Sequence, residues 1–321
     1  MANLRSNWLN YLLVPLFFIF QLAALLRLLS QENFDVVHAH WLIPQGLIAV
    51  AARGGFRQPP ALLCTAHGSD LYGLRGVLFS ALKRLVMRRS DAISMVSQAM
   101  KEETVALGAE PAKISVISMG VDTANTFTPA KHPARHNNQL LFVGRLAAQK
   151  GLDLLLRAMP HVVKIYPDTT LTVVGQGPEE KALQALSETL GVAHNVQFLG
   201  AVANDNLPEL YRSATVLIFP STSEEGFGLV CVEALACECP VIAADLPAVR
   251  EIIIDGETGL LFKRENGDDL THKILFLLAD SAFRRSMGQA GRNFVSQRFD
   301  WQIVSQRYHE LLDKIARYTI R

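Results

Sequence analysis

"LLFVGRLAAQKG", Leu140–Gly151, is an apolar run that stops at Gly144 and is followed by Arg145 and Lys150 at the entrance to a helical pattern. A buried strand that feeds directly into a helix is half of a parallel-sheet crossover unit, and the pattern repeats in both directions from this point. On the N-terminal side, strands are predicted at Val36–His40, Ala61–Ala66, Ala92–Val96 and Ile114–Ser118, with helices near 46–53, 75–89 and 98–107. On the C-terminal side, strands are predicted at Leu140–Val143, Leu171–Val174, Val196–Leu199, Val216–Phe219 and Val241–Ala243, with helices at 150–165, 178–190, 206–212 and 228–237 and terminal helices to Arg321. Two doubly wound parallel-sheet α/β domains account for this order, and ligands are expected at the carboxyl ends of the strands, facing an interdomain cleft.

The polar stretch "TANTFTPAKHPARHNNQ" breaks the alternation and marks the boundary. The expected domains are 1–122 and 139–303, joined by a linker over 123–138, with the terminal helix 304–321 packing back on the first domain. The first domain opens on a helix rather than on a strand with a glycine-rich turn, so it is expected to be incomplete.

At 321 residues and 50% hydrophobic composition, the chain can bury two ordinary cores. Lysine plus arginine (31) balance aspartate plus glutamate (30), which argues against nucleic acid as a partner. Cys64, Cys231, Cys237 and Cys239 lack metal-ligand spacing and read as reduced core thiols of an intracellular protein. Trp8–Leu29 is long and apolar, but Asn10, Pro15, Gln21 and Arg27 interrupt it. It reads first as a helix buried on most sides, second as one lying on a membrane surface with Arg5 and Arg27 toward the headgroups, and last as a true span or signal anchor.

The chemistry collects in loops that follow strands. Arg145 and Lys150, beside free N–H groups at a helix start, suit a diphosphate. In "STSEEGFGLVCVEALACECP", Ser221–Pro240, Gly226 and Gly228 let the backbone approach a ligand where a helix begins. Glu225 precedes them and Glu233 falls about one turn inside the helix, so both carboxylates can face one ligand. A carboxylate accepts hydrogen bonds from vicinal hydroxyls, which suits Glu225 to a hexose and Glu233 to a ribose. Solvated cations and a helix-dipole glutamate are the alternatives, and neither explains the loops together.

These blocks resemble glycosyltransferase family 4. "FVGRLAAQKG" is followed by "PSTSEEGFGLVCVEALACECPV", and the resemblance extends through "VVHAHWLIPQG", "TAHGSDLY", "ISMGVD", "LTVVGQGPEE" and "VQFLGAV", over nearly the whole chain. It implies a GT-B fold and a retaining enzyme with an E-x7-E signature that moves a sugar from a UDP- or GDP-sugar to an acceptor hydroxyl without a metal. By the resemblance, Arg145 and Lys150 hold the diphosphate, Glu233 the ribose and Glu225 the transferred sugar. Gly144, Gly175 and Gly226 border the nucleotide site, and Phe227, Gly228 and Leu229 offer backbone amides.

A loop histidine is usually structural, but His67 in "TAHGSD" matches the family histidine that reaches the donor sugar. Asp70 either orients His67 or caps the next helix. His38 and His40 share one strand face without a third metal ligand. "KRLVMRR", Lys83–Arg89, reads as a solvated face or one drawn to anionic lipid. Glu238 stands where relatives commonly carry glycine, so the helix end there is expected to need a left-handed residue.

Cell-surface glycan or glycolipid synthesis on the inner face of the membrane follows from the resemblance and the basic helix, with a glycan or lipid-linked acceptor. Rival readings are a regulatory GT-B subunit completed by a partner chain or by homo-oligomerisation, and a GT-B epimerase or phosphorylase.

Overall fold

The apolar runs pair as two separate parallel sheets. The computed structural model describes residues 10–130 and 138–319. The readings placed on Arg5, Trp8 and 131–137 lie outside these residues. In the first sheet, β1 (Val36–His40), β2 (Ala61–Ala66), β3 (Ala92–Met95) and β4 (Ile114–Val116) lie side by side in chain order, every pair parallel. The helices of this half are α1 (Asn10–Gln31), α2 (Leu47–Arg53), α3 (Ser69–Tyr72), α4 (Val77–Arg89) and α5 (Gln98–Ala106). All of β2 and β3 is buried, as expected of parallel strands covered on both faces.

The second sheet contains β5 (Gln139–Val143), β6 (Thr170–Val174), β7 (Val196–Gly200), β8 (Val216–Phe219), β9 (Val241–Ala244) and β10 (Leu260–Phe262). Its order is β10-β9-β8-β5-β6-β7. Its helices are α6 (Leu152–Ile165), α7 (Glu180–Thr189), α8 (Leu207–Ser213), α9 (Leu229–Ala236), α10 (Gly267–Ala279) and α11 (Ser281–Ser296), and the final helix, α12 (Trp301–Thr319), belongs from Gln306 on with the first sheet. Central β8 and β9 are wholly buried, whereas edge strand β7 alternates half-buried and exposed positions. Elements β10 and α3 were not expected; at three and four residues they are too short to show a period.

By contacts the chain divides into a unit that runs to Ser118 and takes the residues from Gln306 on, and a second unit, Met119–Ser305. Within the second unit, part of the expected linker is tied down. Asp300 accepts from the Thr123 hydroxyl, Arg292 donates to the carbonyls of Thr123 and Phe127, and Arg212 donates to those of Thr126 and Thr128.

Two expectations are corrected. The buried reading of the N-terminal segment fails: Leu13, Leu16, Phe17, Ile19, Phe20 and Leu28 of α1 are 46–70% exposed. The segment Leu13–Gln31 is long and apolar enough to cross a membrane by length and composition alone. The solvated-face reading of "KRLVMRR" fails at Lys83, which is 3% exposed and donates to Leu71 O at 2.6 Å, while Arg84, Arg88 and Arg89 stay exposed. Glu238 does adopt the left-handed region, with φ 58°, a conformation that costs about 1–2 kcal/mol without glycine.

Candidate active site

Strand order in the second sheet reverses at β5, which lies between β8 on one side and β6 on the other. A crevice opens outside the carboxyl ends of strands at such a point. The loop after β5 carries Gly144, Arg145 and Lys150, and the loop after β8 carries Ser221, Glu225, Gly226, Phe227 and Gly228.

Backbone bonds lock these two loops together. Thr222 N donates to Gln149 O at 2.9 Å, and Ser221 Oγ lies 3.0 Å from the same carbonyl. A Cβ on Gly151, whose φ is 67°, would stand 2.0 Å from Pro220 O. Gly175 has an equally steric reason: at φ 130° its Cβ would meet Gly144 O at 1.9 Å. Gly177 comes as close to Leu146 O, at 2.1 Å. This glycine pair lets the loop after β6 nest against residues 144–146, where Leu146 N donates to Gln176 O at 3.0 Å.

The nested loops bring Lys150 Nζ to 2.7 Å from Glu225 Oε1, with side-chain exposures of 26% and 14%. Ser221 Oγ, itself buried, donates to the same carboxylate oxygen at 2.5 Å. Arg145 is exposed, and no carboxylate pairs with it among the described residues. Phe227 buries its ring against Phe299, centroids 5.3 Å apart, and Gly228 turns the chain at φ 123° into α9.

Glu233 is the fifth residue of α9 and is 5% exposed. Its Oε2 accepts from the Tyr211 hydroxyl at 2.7 Å. Burial pushes its carboxyl up to about 7, and the Tyr211 bond pulls in the opposite direction. Burial, and then the Glu233 charge, raises the Tyr211 phenol well above its usual value. Tyr211 and Ser221 were not singled out in the sequence. Each is found only once α8 and the loop after β8 are placed, since nothing in the spacing links 211 to 233.

In the first unit, His67 follows β2 directly. Asp70 lies within α3 and does not cap the next long helix, α4, whose N-cap is Gly76: its Oδ1 accepts from His67 N at 3.1 Å and its Oδ2 from Leu42 N at 2.7 Å. It therefore holds the His67 backbone rather than the ring. His67 Nε2 lies 2.9 Å from His40 Nδ1. Burial and then the neighbouring His40 lower the His67 imidazole below its ordinary range, against the pull of Asp70.

Comparison with known proteins agrees with this architecture. The family model described as "Glycosyl transferases group 1" matches residues 125–294, and the one described as "Glycosyltransferase Family 4" matches residues 3–125. An uncharacterized glycosyltransferase of Methanocaldococcus jannaschii is 31% identical over 292 residues, covering 89% of this chain and 78% of the relative. A GDP-mannose-dependent alpha-(1-6)-phosphatidylinositol monomannoside mannosyltransferase of Mycolicibacterium smegmatis is 30% identical over 303 residues, with coverage of 89% and 78%. Sucrose-phosphate synthase from Thermosynechococcus elongatus superposes with a TM-score of 0.82 at 24% identity, over 92% of this chain and 77% of that one. The chain thus belongs to glycosyltransferase family 4, with the GT-B fold.

Proposed function

We propose that this glycosyltransferase moves a sugar from a UDP- or GDP-sugar to an acceptor hydroxyl with retention of anomeric configuration. The observation that carries this reading is the Lys150–Glu225 contact at 2.7 Å, which joins the loops after β5 and β8 at the switch point of the second sheet. Lys150 and Arg145 take the donor diphosphate, and Glu225 takes the hydroxyls of the transferred sugar. Glu233, set deeper on α9, takes the ribose, and the amides of Phe227, Gly228 and Leu229 complete the phosphate cradle. Gly144 and Gly226 leave room along the ligand, and Gly175 supports the cradle by holding residues 144–146. His67 makes the donor-sugar contact that the family resemblance implies.

Bond cleavage builds negative charge on the leaving diphosphate. Fixed positive groups aimed at that charge stabilise the transition state more than the ground state. Arg145, Lys150 and the amide dipoles at the start of α9 supply this charge in the present reading, and no metal cofactor is required. The mycolicibacterial relative uses GDP-mannose and a phosphatidylinositol monomannoside, as its name states, which favours a lipid-linked or glycan acceptor here. Exposed apolar side chains on α1, with Arg84, Arg88 and Arg89 exposed on α4, favour peripheral attachment to the inner face of a membrane.

Nucleotide release from a panel of UDP- and GDP-sugars tests this reading. The purified chain is expected to release UDP or GDP from at least one of them. Nucleotide binding without release from any donor in the panel, with or without detergent-dispersed lipid acceptors, contradicts it.

A further inference from the structure

His67 is fixed from several sides by groups that the transferase reading leaves unassigned. Asp70, 3% exposed, ties its backbone N–H to that of Leu42, so one carboxylate joins the loops that follow β1 and β2. Lys83 of α4, also buried, donates to Leu71 O, four residues after His67, and so braces the same loop. The Trp41 ring meets the His67 ring edge-on, centroids 5.8 Å apart. Trp41 has φ 73°, a backbone conformation that is strained for a bulky residue and persists only when its surroundings enforce it. Here Trp41 N donates to Thr65 O at 2.7 Å, and Trp41 O accepts from Gly46 N at 3.0 Å.

The ring itself is met by His40. The two imidazoles stack with centroids 5.2 Å apart and planes 22° apart, and Nδ1 of His40 lies 2.9 Å from Nε2 of His67. His40 is supported in turn by His38, whose ring centroid is 4.3 Å away. His38 Nε2 bonds Thr65 Oγ1 at 2.7 Å, Thr65 bonds Ser94, and Tyr308 packs on His38 with centroids 5.6 Å apart. Side chains from β1, β2, β3 and α12 thus form a continuous column that ends at His67.

We propose that His40 is a positioning residue for His67: one proton shared between His40 Nδ1 and His67 Nε2 fixes the His67 ring in a single orientation and a single tautomer. Since Nε2 is engaged by His40, Nδ1 is the nitrogen with which His67 acts. Two neutral imidazoles need one proton between them to make this bond, whereas two imidazolium rings would both present donors and would repel. Burial first, and then the neighbouring His40, lowers the His38 and His67 imidazoles, which agrees with those two rings of the column being held neutral. The groups facing it are His38, His40, Asp70 and Tyr308. The catalytic consequence rests on the reading of His67 as a donor-sugar contact, but the ring geometry does not.

The test uses the full chain labelled with nitrogen-15 at histidine, as wild type, His40→Ala and His40→Asn, with His67→Gln to assign the resonances. The wild type is expected to show one protonated and one bare nitrogen at His67. His40→Ala should bring the two His67 nitrogen shifts together, as free tautomer exchange requires. His40→Asn sets an amide near the place of Nδ1 and should restore the separation. His40 is exposed, so neither change opens a core cavity, and unchanged melting confirms this. With UDP-glucose or GDP-mannose, His40→Ala should lower kcat for donor hydrolysis about tenfold or more with little change in KM, and His40→Asn should recover most of the loss. A His67 spectrum unchanged in His40→Ala, or equally disturbed in His40→Asn, overturns the proposal. If the wild type hydrolyses neither donor, the transferase reading suffers, and the spectra still decide the role of His40.

Discussion

Tyr211 on α8 donates its hydroxyl to Glu233 Oε2 at 2.7 Å, and the two side chains are 0% and 5% exposed. A buried carboxylate is costly in proportion to its missing partners, and this phenol supplies one. The deeper of the two candidate site glutamates is therefore held by a residue on a different helix, within the same unit.

Tyr211→Phe keeps the ring and removes the donor. Leaving Glu233 Oε2 without it should cost about 1–3 kcal/mol in urea unfolding near neutral pH. It should also move the Glu233 carboxyl further up, since the Tyr211 bond is what lowers it. Carboxyl carbon-13 shifts followed against pH measure the second effect, and a Glu233 titration that falls or stays in place contradicts it.

Glu233 also makes stability depend on pH in a definite direction. Its carboxyl sits at about 7 in the fold against an ordinary 4.5, so the folded chain binds the proton more tightly than the unfolded chain. The stability held by the protonated form is complete below pH 4.5 and is lost as pH rises through about 7. A shift of this size corresponds to a span of about 3 kcal/mol. Denaturation curves for wild type and Glu233→Gln, collected across this range, should differ in slope, with the falling limb reduced in the glutamine variant. Parallel pH profiles would show that the span arises elsewhere.

The glycines around the two loops should be unequal. Gly151→Ala and Gly175→Ala place a methyl about 2 Å from the carbonyls of Pro220 and Gly144, so the loops must part. Each is expected to destabilise by more than about 2 kcal/mol and to weaken nucleotide binding. Gly191→Ala is the control, because its φ is also positive, at 71°, but its Cβ meets nothing within 4 Å. It should cost only about 1 kcal/mol and leave binding intact. Equal losses at all three positions would mean that backbone conformation, not loop contact, sets the effect.

Strand and helix order was readable from the sequence because parallel strands covered on both faces are continuous apolar runs, and those of β2, β8 and β9 are bounded by turn residues. The glycine and cation spacing of the loops was readable for the same reason: it follows strands that could be located. What escaped depends on contacts distant in sequence. Tyr211 reaches Glu233 across 22 positions, Ser221 shares a carboxylate with Lys150, and His40 meets His67 across a strand pair. Lys83 departs from the solvated-face reading because "KRLVMRR" puts four cations close together, and only the packing of α4 shows which of them turns inward. The N-terminal helix was misread because apolar composition alone does not say whether a covering surface exists.

Calorimetric titration of UDP and GDP, paired with donor turnover, separates the roles of the two glutamates. Glu233→Ala should weaken nucleotide binding about tenfold or more, as expected for lost hydrogen bonds to a charged group. Glu225→Ala should leave nucleotide affinity within a few-fold of wild type and lower kcat by about a hundredfold. Equal losses of nucleotide affinity in both variants would contradict the assignment of Glu233 to the ribose and Glu225 to the transferred sugar.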